Sequence, residues 1–225
     1  MAAVDPGAAA PATLEAAWPL FGLRIRSANL VLRLPIDDDL PGLLELARAG
    51  IHPPEEMPFG VAWTDAAGTD FDRGFLQHHW KWRASWRPEE WSLNLMVDWE
   101  GRPVGAQTIS GEDFAIHRVV DSGSWLGLEF QGRGFGKEMR SAVLSFAFDG
   151  LGARAATSSA FLDNAASNAV SRSLGYAEDG RGALAPRGVS RETQRFRMTD
   201  ELWRSRPRPP VEIEGLDACR EMFGI

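Results

Sequence analysis

A lone cysteine, Cys219, in a chain of 225 residues excludes an internal disulfide framework and any cysteine-built zinc cluster, and makes a reducing cytoplasm the expected setting. Basic charge is not in excess either. Lys and Arg number 24 against 31 Asp and Glu, a net −7, which argues against a general binder of nucleic acid or anionic membrane. No apolar run approaches the roughly 18 residues of a membrane-spanning helix. The opening MAAVDPGAAAPATLEAAW lacks the basic start and compact apolar centre of a signal peptide, and reads as a flexible Ala/Pro tail over residues 1–20. No internal repeat is present. The rest reads as one domain, residues 21–205, long enough to bury a sizeable core. A proline-spaced arm, 206–225, follows it. Its Met222, Phe223 and Ile225 suggest burial on a neighbour, and so a homodimer or higher homo-oligomer.

Hydrophobic spacing divides that domain into alternating elements. Leu30, Leu32 and Leu34 alternate as a strand does, and DDDL then supplies an acidic start for a helix through Leu43, Leu44 and Ala47. Phe71, Phe75, His78, Trp82 and Trp86 recur at three- or four-residue steps, which predicts a helix ending before Pro88. WSLNLMVDWEGRPVGAQTIS reads as a hairpin turned at WEGR, and HRVVDSGSWLGLEF as a third sheet strand. A helix through Met139, Val143, Phe146 and Ala147, a strand at ARAATSSAFL, a short helix closed by Gly175, and a strand with Phe196 and Met198 on one face complete the order.

Between the third strand and its helix stands LEFQGRGFGKEM, with glycine at 132, 134 and 136. This is not the G-x-G-x-x-G of a dinucleotide fold, and it is one residue short of a Walker loop, with Glu138 where Ser or Thr belongs. What remains is a strand, a run of glycine-freed N–H groups and a helix start: either a cradle for an anion such as a pyrophosphate, or a tight turn needing positive φ.

Gln131, Gly134 and Gly136 occupy the defining places of Q/R-x-x-G-x-G/A, motif A of the GNAT acyltransferase superfamily, which this segment resembles. NAASNAVSRSLGY resembles that family's N-x-x-S/A…G-F/Y segment, through Asn164, Ser167, Gly175 and Tyr176. The likeness runs from about Leu30 to Met198 and is strongest to the RimJ/RimL-type, ribosomal-protein N-terminal acetyltransferase-like branch. VDSGSWLG, the Trp-rich helix and the proline-bearing tail look like a subgroup in which some members use succinyl-CoA. The resemblance implies an α/β (α+β) fold, a mixed, mostly antiparallel splayed sheet of six or seven strands flanked by helices. It implies transfer of an acetyl or succinyl group from acetyl-CoA or succinyl-CoA to an amine of a protein N-terminus, a lysine or a small molecule, in a ternary complex and without a metal.

The family's roles carry over residue by residue. Leu126 and Leu128 would border the pantetheine; Gln131, Gly132, Arg133, Gly134, Phe135, Gly136 and Lys137 would hold the pyrophosphate; Asn164 would contact the pantetheine arm. Many members place a tyrosine where this chain has Ser171, so Ser167 is favoured near the leaving thiolate. Asp121 is favoured as general base over Glu112, Asp113 and His117, with a water relay as the other route. Trp82 and Trp86 are either core or an apolar acceptor wall, beside which Arg83 would meet a carboxylate. A small-molecule amine acetyltransferase and a noncatalytic acyl-CoA-binding protein are the alternative functions.

Overall fold

Thr13 opens the described chain, residues 13–225 of a computed structural model, by accepting the Ala16 N–H on its side chain and so capping a single turn, α1 (Leu14–Ala17). Leu20, in the 3₁₀ turn that follows, is fully buried. Of the tail expected over 1–20, residues 13–17 form this exposed turn, burial begins at Trp18 to Leu20, and residues 1–12 lie outside the described part. β1 (Arg24–Arg26) pairs antiparallel with β2 (Val31–Arg33). Asp39 grips Arg33 and accepts the Ile36 N–H, which sets the entry to α2 (Leu40–Ala49).

α3 (Gly68–Ala84) is the aromatic helix, burying Phe71, Phe75 and His79; it ends two residues before Trp86. β3 (Glu90–Trp99) and β4 (Arg102–Glu112) form the expected hairpin, turned by Glu100 and Gly101 at φ 52° and 77°. α4 (Phe114–His117) leads to β5 (Val119–Leu126), then α5 (Phe135–Ser145), β6 (Ala155–Phe161) and α6 (Ala165–Leu174), closed by Gly175 at φ 88°. β7 (Ala177–Leu184), β8 (Arg191–Thr199), α7 (Asp200–Arg204), β9 (Glu212–Glu214) and α8 (Leu216–Cys219) complete the order.

The strands make one open sheet of nine in the order β7-β8-β6-β5-β4-β3-β2-β1-β9. Six or seven were expected; β1, β7 and β9 account for the difference. Every pairing is antiparallel except β5 with β6, and that one is cut short. It runs only from Val119–Asp121 against Ala155–Thr157, while β5 stays paired to β4 as far as Leu126 and β6 to β8 as far as Phe161. The sheet is split from Ser122 onward. No helix among the described residues is long and apolar enough to cross a membrane.

The C-terminal arm folds onto its own chain. β9 extends the sheet beside β1, with Ile213 opposite Ile25. Phe223 is fully buried against Trp91 (ring centroids 4.9 Å), Trp86 (5.5 Å) and Phe146 (5.7 Å). Phe223 is thus buried within its own molecule, and Met222 and Ile225 lie half-buried against the same core. Phe223→Ala is expected to cost about 3–5 kcal/mol in a denaturant titration, the range for emptying an aromatic site; a loosely held arm would lose less than about 0.5 kcal/mol.

Candidate active site

Two of the three loop glycines are required by the backbone itself. Gly132 and Gly134 lie at φ 73° and 86°, where a side chain is strained, and no atom stands within 4 Å of where either Cβ would be. Gly136 has no positive φ, and a Cβ there would meet Leu126 and Val170 at ordinary contact distances. Gly134 caps α5, and the Lys137 and Glu138 N–H groups return to its carbonyl. The preceding N–H groups therefore point out of the end of an 11-residue helix into open space, at the positive end of its dipole. This cradle fits an anionic diphosphate such as that of CoA.

Side chains around the loop hold it rather than fill it. Gln131 Nε2 donates to the carbonyls of Ile51 (2.7 Å) and Leu126 (3.0 Å), tying the loop to the end of α2 and to β5. Leu128 N–H donates to Gly50 O at 3.0 Å. Arg133 lies over the rings of Trp99 and Phe130, and Phe135 is buried against Trp99, so only its backbone faces the cradle. Lys137 is exposed. Glu138, the residue that spoils a Walker match, accepts from Ser27 Oγ and from both nitrogens of Asn29, anchoring α5 to the β1–β2 turn.

Beyond the loop the split between β5 and β6 opens. Strand alternation turns Ser122 and Ser124 toward α5, while Asp121, Gly123 and Trp125 face the opposite side. Asp121 lies open on that floor and accepts from Thr157 Oγ1 at 2.6 Å. Although the side chain reaches the surface, the protein packed around it displaces enough water to raise its carboxyl pKa from the ordinary aspartate value, against a downward pull from Thr157, from the charge of Arg140 and from the Ser122 N–H. At the far end of the split, Asn164 caps α6 by accepting the Ser167 N–H at 3.0 Å, and Asn168 ties the helix start to Phe161 O at 2.8 Å. Ser167 is half-buried on the first turn, whereas Ser171 is buried at 1 % exposure and cannot face a ligand.

The aromatic row on the Asp121 face of β5 is not the one expected. Trp125 packs on Trp63 (6.2 Å) and Phe75 (6.5 Å), and the ring row continues through Phe59 to His52. At the far end of that row, between the end of α2 and the start of α3, lies a cavity of about 590 Å³ lined in part by Ile51, His52, Thr64 and Phe71; neither Asp121 nor Trp125 lines it. Arg187, on the β7–β8 loop, clasps Asp65 (2.7 Å) and the carbonyls of Pro54 and Glu56. Trp82, Arg83 and Trp86 instead line a separate cavity of about 10 Å³, room for about one water. There Arg83 is held by Asp37 and Pro35 O, Trp86 stacks on Trp91 and donates to Met222 O (2.8 Å), and burial pushes His79 down to about 3. The three- or four-residue steps that singled out Trp82 report packing of α3, and Trp86 packs on Trp91 two residues past its end. Trp63 sits in a 3₁₀ turn without periodicity, and Trp125 was visible only as part of a strand.

Residues 29–177 match the acetyltransferase (GNAT) domain model. The chain belongs to the GNAT acetyltransferase family. GNAT structures of known complexes share its fold at low identity. Mycobacterium smegmatis RimJ, solved with CoA-disulfide, aligns at 19 % identity with a TM-score of 0.65, over 84 % of this chain and 88 % of that one. RimL, a ribosomal alpha-N-protein acetyltransferase solved with coenzyme A, aligns at 17 % and 0.59, over 77 % and 95 %. The microcin C7 self-immunity acetyltransferase MccE, solved with acetyl-CoA and AMP, aligns at 17 % and 0.58, over 76 % and 93 %. The mixed, splayed GNAT sheet that the resemblance implied is the one observed, with nine strands where six or seven were expected.

Proposed function

We propose that this GNAT protein is a CoA-dependent N-acyltransferase in which an amine attacks the acyl group directly, within a ternary complex. The observation that carries this reading is the adjacency of an anion cradle to a split sheet whose floor exposes one carboxylate of raised pKa. Acyl-CoA supplies an acyl thioester. The N–H groups of residues 132–136, with Arg133 and Lys137 beside them, hold the diphosphate, and the split between β5 and β6, bordered by Leu126, Leu128 and Asn164, takes the pantetheine. Asp121 receives the proton of the attacking amine, a task for which a raised pKa suits it. Ser167 is the hydroxyl nearest in role to a proton donor for the leaving sulfur. Direct transfer is favoured over a cysteine acyl-enzyme, because burial pushes the Cys219 thiol up to about 11 and α8 lies beside the β1–β9 edge of the sheet.

The RimJ and RimL likeness favours a protein or peptide N-terminus as acceptor over a lysine or a small amine, and acetyl-CoA or succinyl-CoA as donor. Calorimetric titration with CoA, acetyl-CoA, succinyl-CoA and ATP, followed by turnover on peptide N-termini and on small amines, tests it. CoA species should bind where ATP does not, and peptides should turn over faster. Binding without turnover on any acceptor would leave an acyl-CoA-binding protein instead. Ser167→Ala is expected to lower kcat by about a hundredfold with CoA affinity retained, the lower end for loss of a general acid; an unchanged kcat would remove Ser167 from the mechanism.

A further inference from the structure

Arg140 is a buried cation that the glycine loop does not need. It projects from α5 with 4 % exposure, and no carboxylate among the described residues lies within ion-pair distance of it. Burying a charge without its partner costs several kcal/mol, so something about this position keeps it. Its Nη1 donates to Ser158 Oγ (2.9 Å) and its Nη2 to Ser124 Oγ (3.3 Å). Ser158 is on β6 and Ser124 on β5, one and three residues beyond the last ladder pair, Asp121 with Thr157. One guanidinium therefore spans the split just past the point where backbone hydrogen bonding stops.

The chemistry of the two serines gives this bridge a direction. Arginine can only donate, so both hydroxyl oxygens are taken as acceptors and both hydroxyl hydrogens turn away from it. The Ser158 hydroxyl reaches the Ser122 carbonyl, at a long 3.4 Å, and the Ser124 hydroxyl makes no other hydrogen bond among the described residues. The charge is felt through the split as well, since it draws Asp121 downward from the opposite face. Seven buried side-chain polar atoms of the described residues lack a partner. Four of them, Arg140 Nε, Asn168 Oδ1, Ser171 Oγ and Tyr176 OH, belong to α5 and to α6 with the residues just after it, so the unmet polarity gathers on this side of the split.

We propose that Arg140 is a positioning residue for acyl transfer, which through the Ser124 and Ser158 hydroxyls directs positive charge at the sulfur as it leaves. The inference rests on the reading of the split as the thioester site. In the transfer the amine nitrogen bonds to the acyl carbon, the carbon–sulfur bond breaks with its electron pair going to sulfur, and the amine proton passes to Asp121. A cation beside a thiolate lowers the thiol pKa, and does so more strongly where water is excluded. That charge stabilises the negative charge growing on sulfur until Ser167 delivers a proton to it, and a chain with a buried serine at 171 then needs no tyrosine there.

The test is a pH titration of bound CoA, its thiolate followed by ultraviolet absorbance, in wild type, Arg140→Met, Arg140→Lys and Ser124→Ala. The CoA thiol should titrate lower when bound to wild type than when free, return toward its free position in Arg140→Met, and stay low in Arg140→Lys. Turnover by Arg140→Met should fall about tenfold, less than the hundredfold or more lost with a direct oxyanion donor, while CoA affinity changes far less. Ser124→Ala should move the titration the same way, and it decides the matter if the methionine variant does not fold. A bound thiol that titrates alike in wild type and in the variants overturns the role of Arg140 and leaves the CoA site standing. Failure of wild type to bind CoA would remove the site and this inference together.

Discussion

Gly134→Val is expected to weaken CoA binding by on the order of a hundredfold, the equivalent of about 2.7 kcal/mol, in a protein that still folds. The residue sits at φ 86°, where any side chain is strained by roughly 1–2 kcal/mol and a β-branched one by more. Nothing lies within 4 Å of the added Cβ, so no core contact is disturbed; the new methyl groups would instead stand over the exposed N–H groups at the start of α5. Strain and obstruction therefore both fall on the cradle. Gly101→Val is the matched control, because Gly101 has a similar φ of 77° and equally open surroundings, but lies in the β3–β4 turn. It should lower stability and leave CoA binding alone. If calorimetry finds CoA bound equally well by the Gly134 variant, the glycines serve only the turn.

Asp121→Asn should lower kcat by about a hundredfold or more, as loss of a general base does, with CoA affinity unchanged. It should also raise the melting temperature at neutral pH. The folded-state pKa of Asp121 is raised, chiefly by desolvation. Its contribution to stability is therefore fully present below the unfolded carboxylate value, about 3.9, and is lost as pH rises through the raised folded value. Above that raised value the ionised carboxylate opposes folding and asparagine does not. Below the unfolded value both are neutral, and the melting curves should converge. Melting temperatures that rise equally at acid and neutral pH would mean that the asparagine gains something other than relief of charge. An unchanged kcat would pass the proton to a water relay.

Much of this molecule is readable from spacing, because the elements that carry it have one dry face. The hairpin at WEGR shows in its alternation and its turn, and the glycine loop in residues that only an unusual backbone requires. β7 escapes because nearly all of its residues are exposed, so no apolar alternation marks it; β1 and β9 are three residues each, too short to show a period. The site divides in the same way. Loop and helix-cap residues follow from local backbone chemistry, whereas the Trp63–Trp125 wall joins a turn to a strand 62 positions later, a contact no local pattern records. Arg140 is hidden for another reason: a charged residue beside an apolar stripe reads as solvent-facing, yet from Met139 to Ser145 α5 is buried on every side.

The pairing of β1 with β9 bears on how this protein is made. Arg26 and Glu214, which close that edge with a bidentate ion pair, stand 188 residues apart, so β1 emerges from the ribosome long before the strand that will cover it. Until then the growing chain carries an open strand edge, the kind of surface on which other chains can add. Synthesis halted between Thr199 and Glu212 would leave a chain with its cradle and split complete but without the strand that forms this edge of the finished sheet. Such a chain would also lack Phe223, which fills the core beside Trp91, so the last residues made complete the interior as well as the edge.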